Sequence, residues 1–211
     1  MRFGPVVFQE DTELTEPFTS MGPTTAKGNL TVYSIKTNGP LVVKQNLDVE
    51  SKLEVNGPLV VDGTFSCFNE CKAKINGPVT IKKGIIGGFL HVNGPIKAKY
   101  IDATDLGING PVKVEGDIQA TDEIKFGVGY SNLAKNFDIG GVIEAPIVHF
   151  KNHGRLGDQI PGFKTIKKVL GLSSSSEKIT LEGLKIKTKL LRLEGVEIIN
   201  SEINTDETED L

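Results

Sequence analysis

Five copies of Asn-Gly-Pro, beginning at Asn38, Asn56, Asn76, Asn93 and Asn109, constrain this chain more than any other feature. The step from one copy to the next is nearly constant and drifts only slightly along the series. A tripeptide that returns at a nearly fixed step means that one structural unit is stacked on itself. The cleanest unit, residues 38–55, carries its apolar residues in pairs two apart: Leu41 and Val43, Leu47 and Val49, Leu53 and Val55. Spacing of two is strand periodicity, because alternate side chains of a strand share a face. Helical spacing of three and four is missing. The pairs follow one another evenly, so three short sides close one coil between Asn38 and Val55. The expected fold is all-β: a single-stranded parallel β-helix with three-sided coils of about 18 residues.

The pairs continue with edits between them. Leu59/Val61 and Phe65/Cys67 hold register, and then two extra residues precede Ala73/Ile75. Val79/Ile81 and Leu90/Val92 flank a less regular side near Ile85, and Val112/Val114, Ile118/Ala120 and Ile124/Phe126 restore the full spacing. Insertions at corners are what a core built from the pairs would tolerate. Asn-Gly-Pro itself suits a corner. Asn accepts turn conformations, Gly accepts almost any dihedral, and Pro lacks an N–H and belongs at a strand start. Stacked at the inter-strand distance of ~4.8 Å, the five Asn side chains are expected to form an amide ladder along one edge.

The ends divide the chain further. Residues 1–27 read as an N-terminal arm with an apolar cluster at Phe3, Val6, Val7 and Phe8. That cluster is either a strand or incomplete coil laid on the body, or a weak membrane or partner contact. The β-helix is expected over 28–150. Residues 151–178 form an insertion, in which Phe163, Ile166, Val169 and Leu170 fall near helical spacing behind Pro161. A short amphipathic helix over 161–172 is expected there, placed to cap one end of the stack. Strands resume over 179–203, where ITLEGLKI (179–186) and LRLEGVEI (191–198) match. Residues 204–211 read as an acidic disordered tail.

Composition narrows the function classes. The net charge is −3, with Lys and Glu intermixed, and Trp is absent. No basic run marks a nucleic-acid surface. No apolar run is long enough to span a bilayer and the first residues lack a secretory h-region, so a cytoplasmic location is expected. Cys67 and Cys71 give no disulfide framework, and Cys67 reads as a small core residue. His91 and His149 occupy outward positions. His149, His153 and Asp158 make the one local metal candidate, a weak one against the three or four convergent ligands zinc requires. Gly127-Val-Gly129 lacks a following helix, and Asp102 and Asp105 read as turn chemistry rather than a catalytic pair. No catalytic, metal or cofactor residues are assigned.

A three-sided β-helix with paired apolar residues on each side, clearest over Leu41–Val55 and Val112–Phe126, resembles the bactofilins, bacterial polymer-forming cytoskeletal proteins. The resemblance covers residues 28–150 and implies a right-handed helix. It also implies end-to-end polymerisation without nucleotide and, in some members, a membrane contact through a short apolar N-terminal stretch. Here that stretch maps to Phe3, Val6, Val7 and Phe8. The expectation is therefore a non-enzymatic scaffold whose partner is itself, as a homo-oligomer or filament. Two alternatives are set against it, the first of which shares the coil length. Left-handed hexapeptide enzymes, such as acyltransferases and γ-class carbonic anhydrases, place one large aliphatic residue before small ones rather than two aliphatics two apart. Carbohydrate-binding or carbohydrate-cleaving β-helices line a groove with aromatics and carboxylates.

Overall fold

A computed structural model of the chain describes residues 1–68, 70–128, 137–152 and 179–211. Among these residues every regular element is a strand and every strand pairing is parallel, giving a β-solenoid of about nine turns with about 18 residues per turn. The side that follows each Gly-Pro corner is short. Its three-residue strands, from Val6–Phe8 through Leu41–Val43 and Val79–Ile81 to Phe137–Ile139, build an eight-stranded sheet. The other two sides share a 13-stranded sheet, because strands such as Leu47–Val55, Tyr100–Asn109, Ile118–Val128 and Val142–Asn152 run through the bend between them. Ile179–Glu182 and Val196–Ile199 form a separate two-stranded pair on the first side.

The pairs of apolar residues are the core. Leu41, Val43, Leu47, Val49, Leu53 and Val55 are all fully buried, and their equivalents align rung upon rung: Leu41 with Leu59, Leu59 with Val79, Leu53 with Ala73, Ala73 with Leu90. A one-residue slip would turn every such pair to solvent, so the pattern specifies register as well as strand. Ile85, on the least regular side, is also fully buried, in strand Gly84–Ile86. Where the corner pattern ends, Phe126, Phe137 and Phe150 fill the interior, with Phe126 and Phe150 stacked at 5.1 Å.

Three expectations change. First, residues 1–27 are no separate arm. Val6–Phe8 pairs with Thr24–Ala26, Thr12–Leu14 with Leu30–Val32 and Phe18–Ser20 with Ile35–Thr37, so the solenoid begins a full turn before residue 28. Gly4-Pro5 and Gly22-Pro23 are corners that keep Gly-Pro but place Phe3 and Met21 where later turns have Asn. Second, the acidic segment 204–211 is ordered: Glu202–Asp210 pairs along its length with Lys185–Glu194. A parallel ladder satisfies backbone groups whatever the side chains carry, and Lys185 and Arg192 offset Glu202 and Glu209 at 3.7 and 2.8 Å. Third, Cys67 and Cys71 form a disulfide. The two extra residues of that turn belong to the loop it closes, and both cysteines are buried against Gly88 of the next turn. The two matching late segments are offset by less than the stacking step. Ile179 pairs with Val196, Lys185 with Glu202 and Arg192 with Glu209, 17 residues on, so the resemblance joins strands on different sides. The helix expected at 161–172, with Phe163, Ile166, Val169 and Leu170, lies outside the described residues, as do His153, Asp158 and Gly129.

Candidate functional site

The Asn-Gly-Pro corners are structural. Asn56 donates from Nδ2 to Asn38 Oδ1 at 2.7 Å, Asn76 to Asn56 at 2.8 Å, Asn93 to Asn76 at 2.8 Å and Asn109 to Asn93 at 2.9 Å. This is the expected amide ladder, in which Asn56, Asn76 and Asn93 each use both halves of the amide. The glycines beside it touch from turn to turn. A Cβ on Gly57 would lie 2.8 Å from the Gly39 carbonyl oxygen, and one on Gly77 would lie 2.5 Å from that of Gly57. The glycine positions of the corner therefore exclude side chains. A second, shorter ladder lies beyond the sequence reading. Asp11 accepts from the backbone and side chain of Asn29, Asn29 from those of Asn46, and Asn46 from the Thr64 N–H. The backbone N–H of Asn29 is the main reason that the Asp11 pKa is lowered. Asp11, Asn29, Asn46 and Thr64 recur at steps of 18, 17 and 18, a periodicity that the sequence does carry.

The groups with catalytic chemistry do not converge. Asp102 and Asp105 belong to one strand but sit on opposite sides of the bulge after Ala103. Asp105 is half-buried beside Glu123, and burial raises its pKa. Asp102 lines a groove of about 540 Å³ with Gln119, Glu144, Lys187 and Asn204, which occupy one register column. Ala120 and Ala145 form its floor, and the Lys187 ammonium is 2.6 Å from Glu144. His91 is exposed and touches Asn93 at 3.1 Å. His149 is outward in register but largely covered. Its Nε2 lies 3.6 Å from Glu194 without a hydrogen bond, and desolvation lowers its pKa against the pull of Glu194. Among the described residues no three His, Cys, Asp or Glu side chains group as a metal site, and the sulfurs of Cys67 and Cys71 are bonded to each other. No helix among them is long and apolar enough to cross a membrane.

The two end layers of the stack differ most from the body. The first turn directs Val6, Phe8, Leu14 and Phe18 inward. Of these Val6 alone is buried, whereas Phe8, Leu14 and Phe18 are half-buried, with the Phe8 and Phe18 rings in edge contact at 5.6 Å. Nearby Phe3 is 79% exposed and Val7 49% exposed. Of the apolar cluster expected at the N-terminus, then, Val6 and Phe8 face the core while Phe3 and Val7 face solvent. In the last turn the inward register positions of the acidic strand hold Ile203, Thr205, Thr208 and Asp210, and Ile203 is 41% exposed. One end presents a mainly apolar layer, and the other a mixed one, since Val196 and Ile198 on its first side join Ile203, Thr205, Thr208 and Asp210. Among the described residues the outer edges of Val6–Phe8, Thr12–Leu14, Val196–Ile199 and Glu202–Asp210 are open, whereas Arg2 bridges to Ser20 and covers part of the edge of Phe18–Ser20.

The chain matches no protein-family model, no curated protein and no solved structure.

Proposed function

We propose that this protein is a non-enzymatic structural element that associates with itself through the first turn of its β-solenoid. The observation that carries this reading is the half-buried layer of Phe8, Leu14 and Phe18, with the edges of Val6–Phe8 and Thr12–Leu14 open and that of Phe18–Ser20 covered in part by Arg2. Stacking a second such layer on it buries apolar surface and completes backbone hydrogen bonds in one step. A first-turn to first-turn contact uses the same patch twice and closes as a dimer. A continuous filament also needs the other end, where Thr205, Thr208 and Asp210 interrupt the apolar Val196, Ile198 and Ile203. The reading is therefore bactofilin-like in principle, but favours a small oligomer over a polymer. The cytoplasmic expectation gives way, within this proposal, to an oxidising compartment, because the buried Cys67–Cys71 disulfide persists best there. Sedimentation and electron microscopy test the assembly. Dimers that Leu14→Glu and Phe18→Glu convert to monomers are the expected result, and a wild-type monomer at every concentration overturns it.

The groove at Asp102, Gln119, Glu144, Lys187 and Asn204 favours a second reading, binding of a linear polar ligand such as an oligosaccharide. Its carboxylates and amides recur at the rung spacing of ~4.8 Å. Saturable binding to a polysaccharide panel that Gln119→Ala weakens would support it.

A further inference from the structure

The first side of the solenoid and the corner after it carry a charge pattern that runs along the long axis. In the early turns the outward residues of the side itself, Val42, Val60 and Thr80, are neutral and half-buried, while Lys44 and Asp62 at the corner pair with each other at 3.5 Å. In the middle turns lysines gather, although the sequence contains no basic run, with exposed Glu115 and Asp117 at the corner one rung beyond Lys99. Lys99 donates its N–H to the Lys83 carbonyl at 2.8 Å, which places these two residues on adjacent rungs, and Lys97 is the register partner of Lys113. Lys82 is held by Asp62 at 2.8 Å and Lys113 by Asp138 at 2.6 Å. Lys83, Lys97 and Lys99 are exposed and make no ion pair among the described residues. Like charges on neighbouring strands oppose the pairing that holds them. That cost disappears when an anion covers them.

The same face turns acidic in the late turns, with exposed Glu182 and Glu197 on the first side and Glu202 at the corner beyond it. Glu202 lies 3.7 Å from Lys185 of its own chain, whereas Glu182 and Glu197 make no ion pair among the described residues, and none of the three is on a rung next to Lys83, Lys97 or Lys99. The paired strands Ile118–Val128, Val142–Asn152, Lys185–Glu194 and Glu202–Asp210 put three rungs of ~4.8 Å between the turn of Lys113 and the last turn. Glu202–Asp210 is also pinned by hydrogen bonds along its length. We propose that this face docks a second copy of the chain, side by side and antiparallel, with Glu182, Glu197 and Glu202 of each copy over Lys83, Lys97 and Lys99 of the other. A two-fold contact of this kind uses both patches twice and closes on itself. Lysines without an arginine suit it, because they act as mobile point charges rather than as forks for phosphate. The contact rests on the self-association reading but uses a surface distinct from the first turn, so the two fail separately.

Sedimentation of the full chain carrying Leu14→Glu, which removes the end contact, isolates this one. A dimer is expected at about 0.05 M ionic strength and a monomer at about 0.5 M, where screening shortens the Debye length well below the reach of the patch. K83E/K97E/K99E and E182K/E197K/E202K should each be monomeric at low salt, with association at least tenfold weaker. An equimolar mixture of the two should re-form a dimer. A dimer that ignores both reversals, or two variants that fail to rescue each other, overturns the proposal. So does a Leu14→Glu chain that stays monomeric at low salt while its lysines retain polyglutamate, since the occupant would then be another acidic chain.

Discussion

Asn109 and the pair Lys151 and Glu194 stand in one register column of the stack, reached through Gly127, yet the column is held by different chemistry below and above. From Asn38 to Asn109 an amide repeats on every rung. Beyond Gly127, Lys151 pairs with Glu194 at 3.0 Å, and neighbouring columns carry Lys187–Glu144 and Arg192–Glu209. An amide is self-complementary, so one residue type extends the ladder indefinitely. Charge must alternate in sign, so each late rung is a separate solution. The spacing of the first-side strands shows the consequence. Their register partners Val6, Thr24, Leu41, Leu59, Val79, Ile96 and Val112 follow at a nearly even step, whereas the next, Phe137, comes only after a much longer one. The chain accepts long insertions where the ladder has stopped.

Substitutions set these two regions against each other. The largest effect is expected where they meet. Phe126→Ala empties the stack of Phe126, Phe137 and Phe150 and should cost about 3–5 kcal/mol in denaturant unfolding. Next is Gly77→Ala, which pushes a methyl against the Gly57 backbone. A loss of about 3 kcal/mol is expected, and an unchanged midpoint would show that the corner can relax. Cys67→Ser should cost about 2 kcal/mol, because the loop that the disulfide closes is short. Asn76→Ala strands an acceptor on Asn56 and a donor on Asn93, and should lose about 1–2 kcal/mol by thermal melting. Lys187→Ala should lose no more than about 0.5 kcal/mol, since Lys187–Glu144 is an exposed pair. Equal losses for these last two would erase the distinction between ladder and ion pair. The smallest effect concerns His149, whose folded pKa is depressed below 6.5 by burial. A depressed pKa favours the neutral folded form, so stability is full above pH 6.5 and declines as pH falls through the lowered value. His149→Gln should flatten that acid limb.

Period and pairing are legible in the residues because each inward pair, such as Leu53 and Val55, states its own side of the coil and its own register. The first turn escapes the pattern because its corners replace Asn with Phe3 and Met21, although Gly4-Pro5 and Gly22-Pro23 retain the Gly that lets backbones touch. The acidic strand runs against its composition, which argues for disorder only when no neighbour offers a ladder, and Lys185–Glu194 offers one. The disulfide is hidden by spacing: Cys67 and Cys71 approach to 5.4 Å between Cα atoms only because their loop is folded back across a corner.

Strand period, the three-sided turn and the amide ladder follow from the chain alone, since all depend on residues that are close together or repeat at a steady step. Which charges meet is settled by stacking instead. Lys83 and Lys99 are a whole coil apart in the chain yet lie on adjacent rungs, and Asp102, Glu144 and Lys187 share a column across insertions of unequal length. Surface chemistry on a solenoid is written across the turns, and its grammar is the stacking register, which corner insertions shift without leaving a mark on the local pattern.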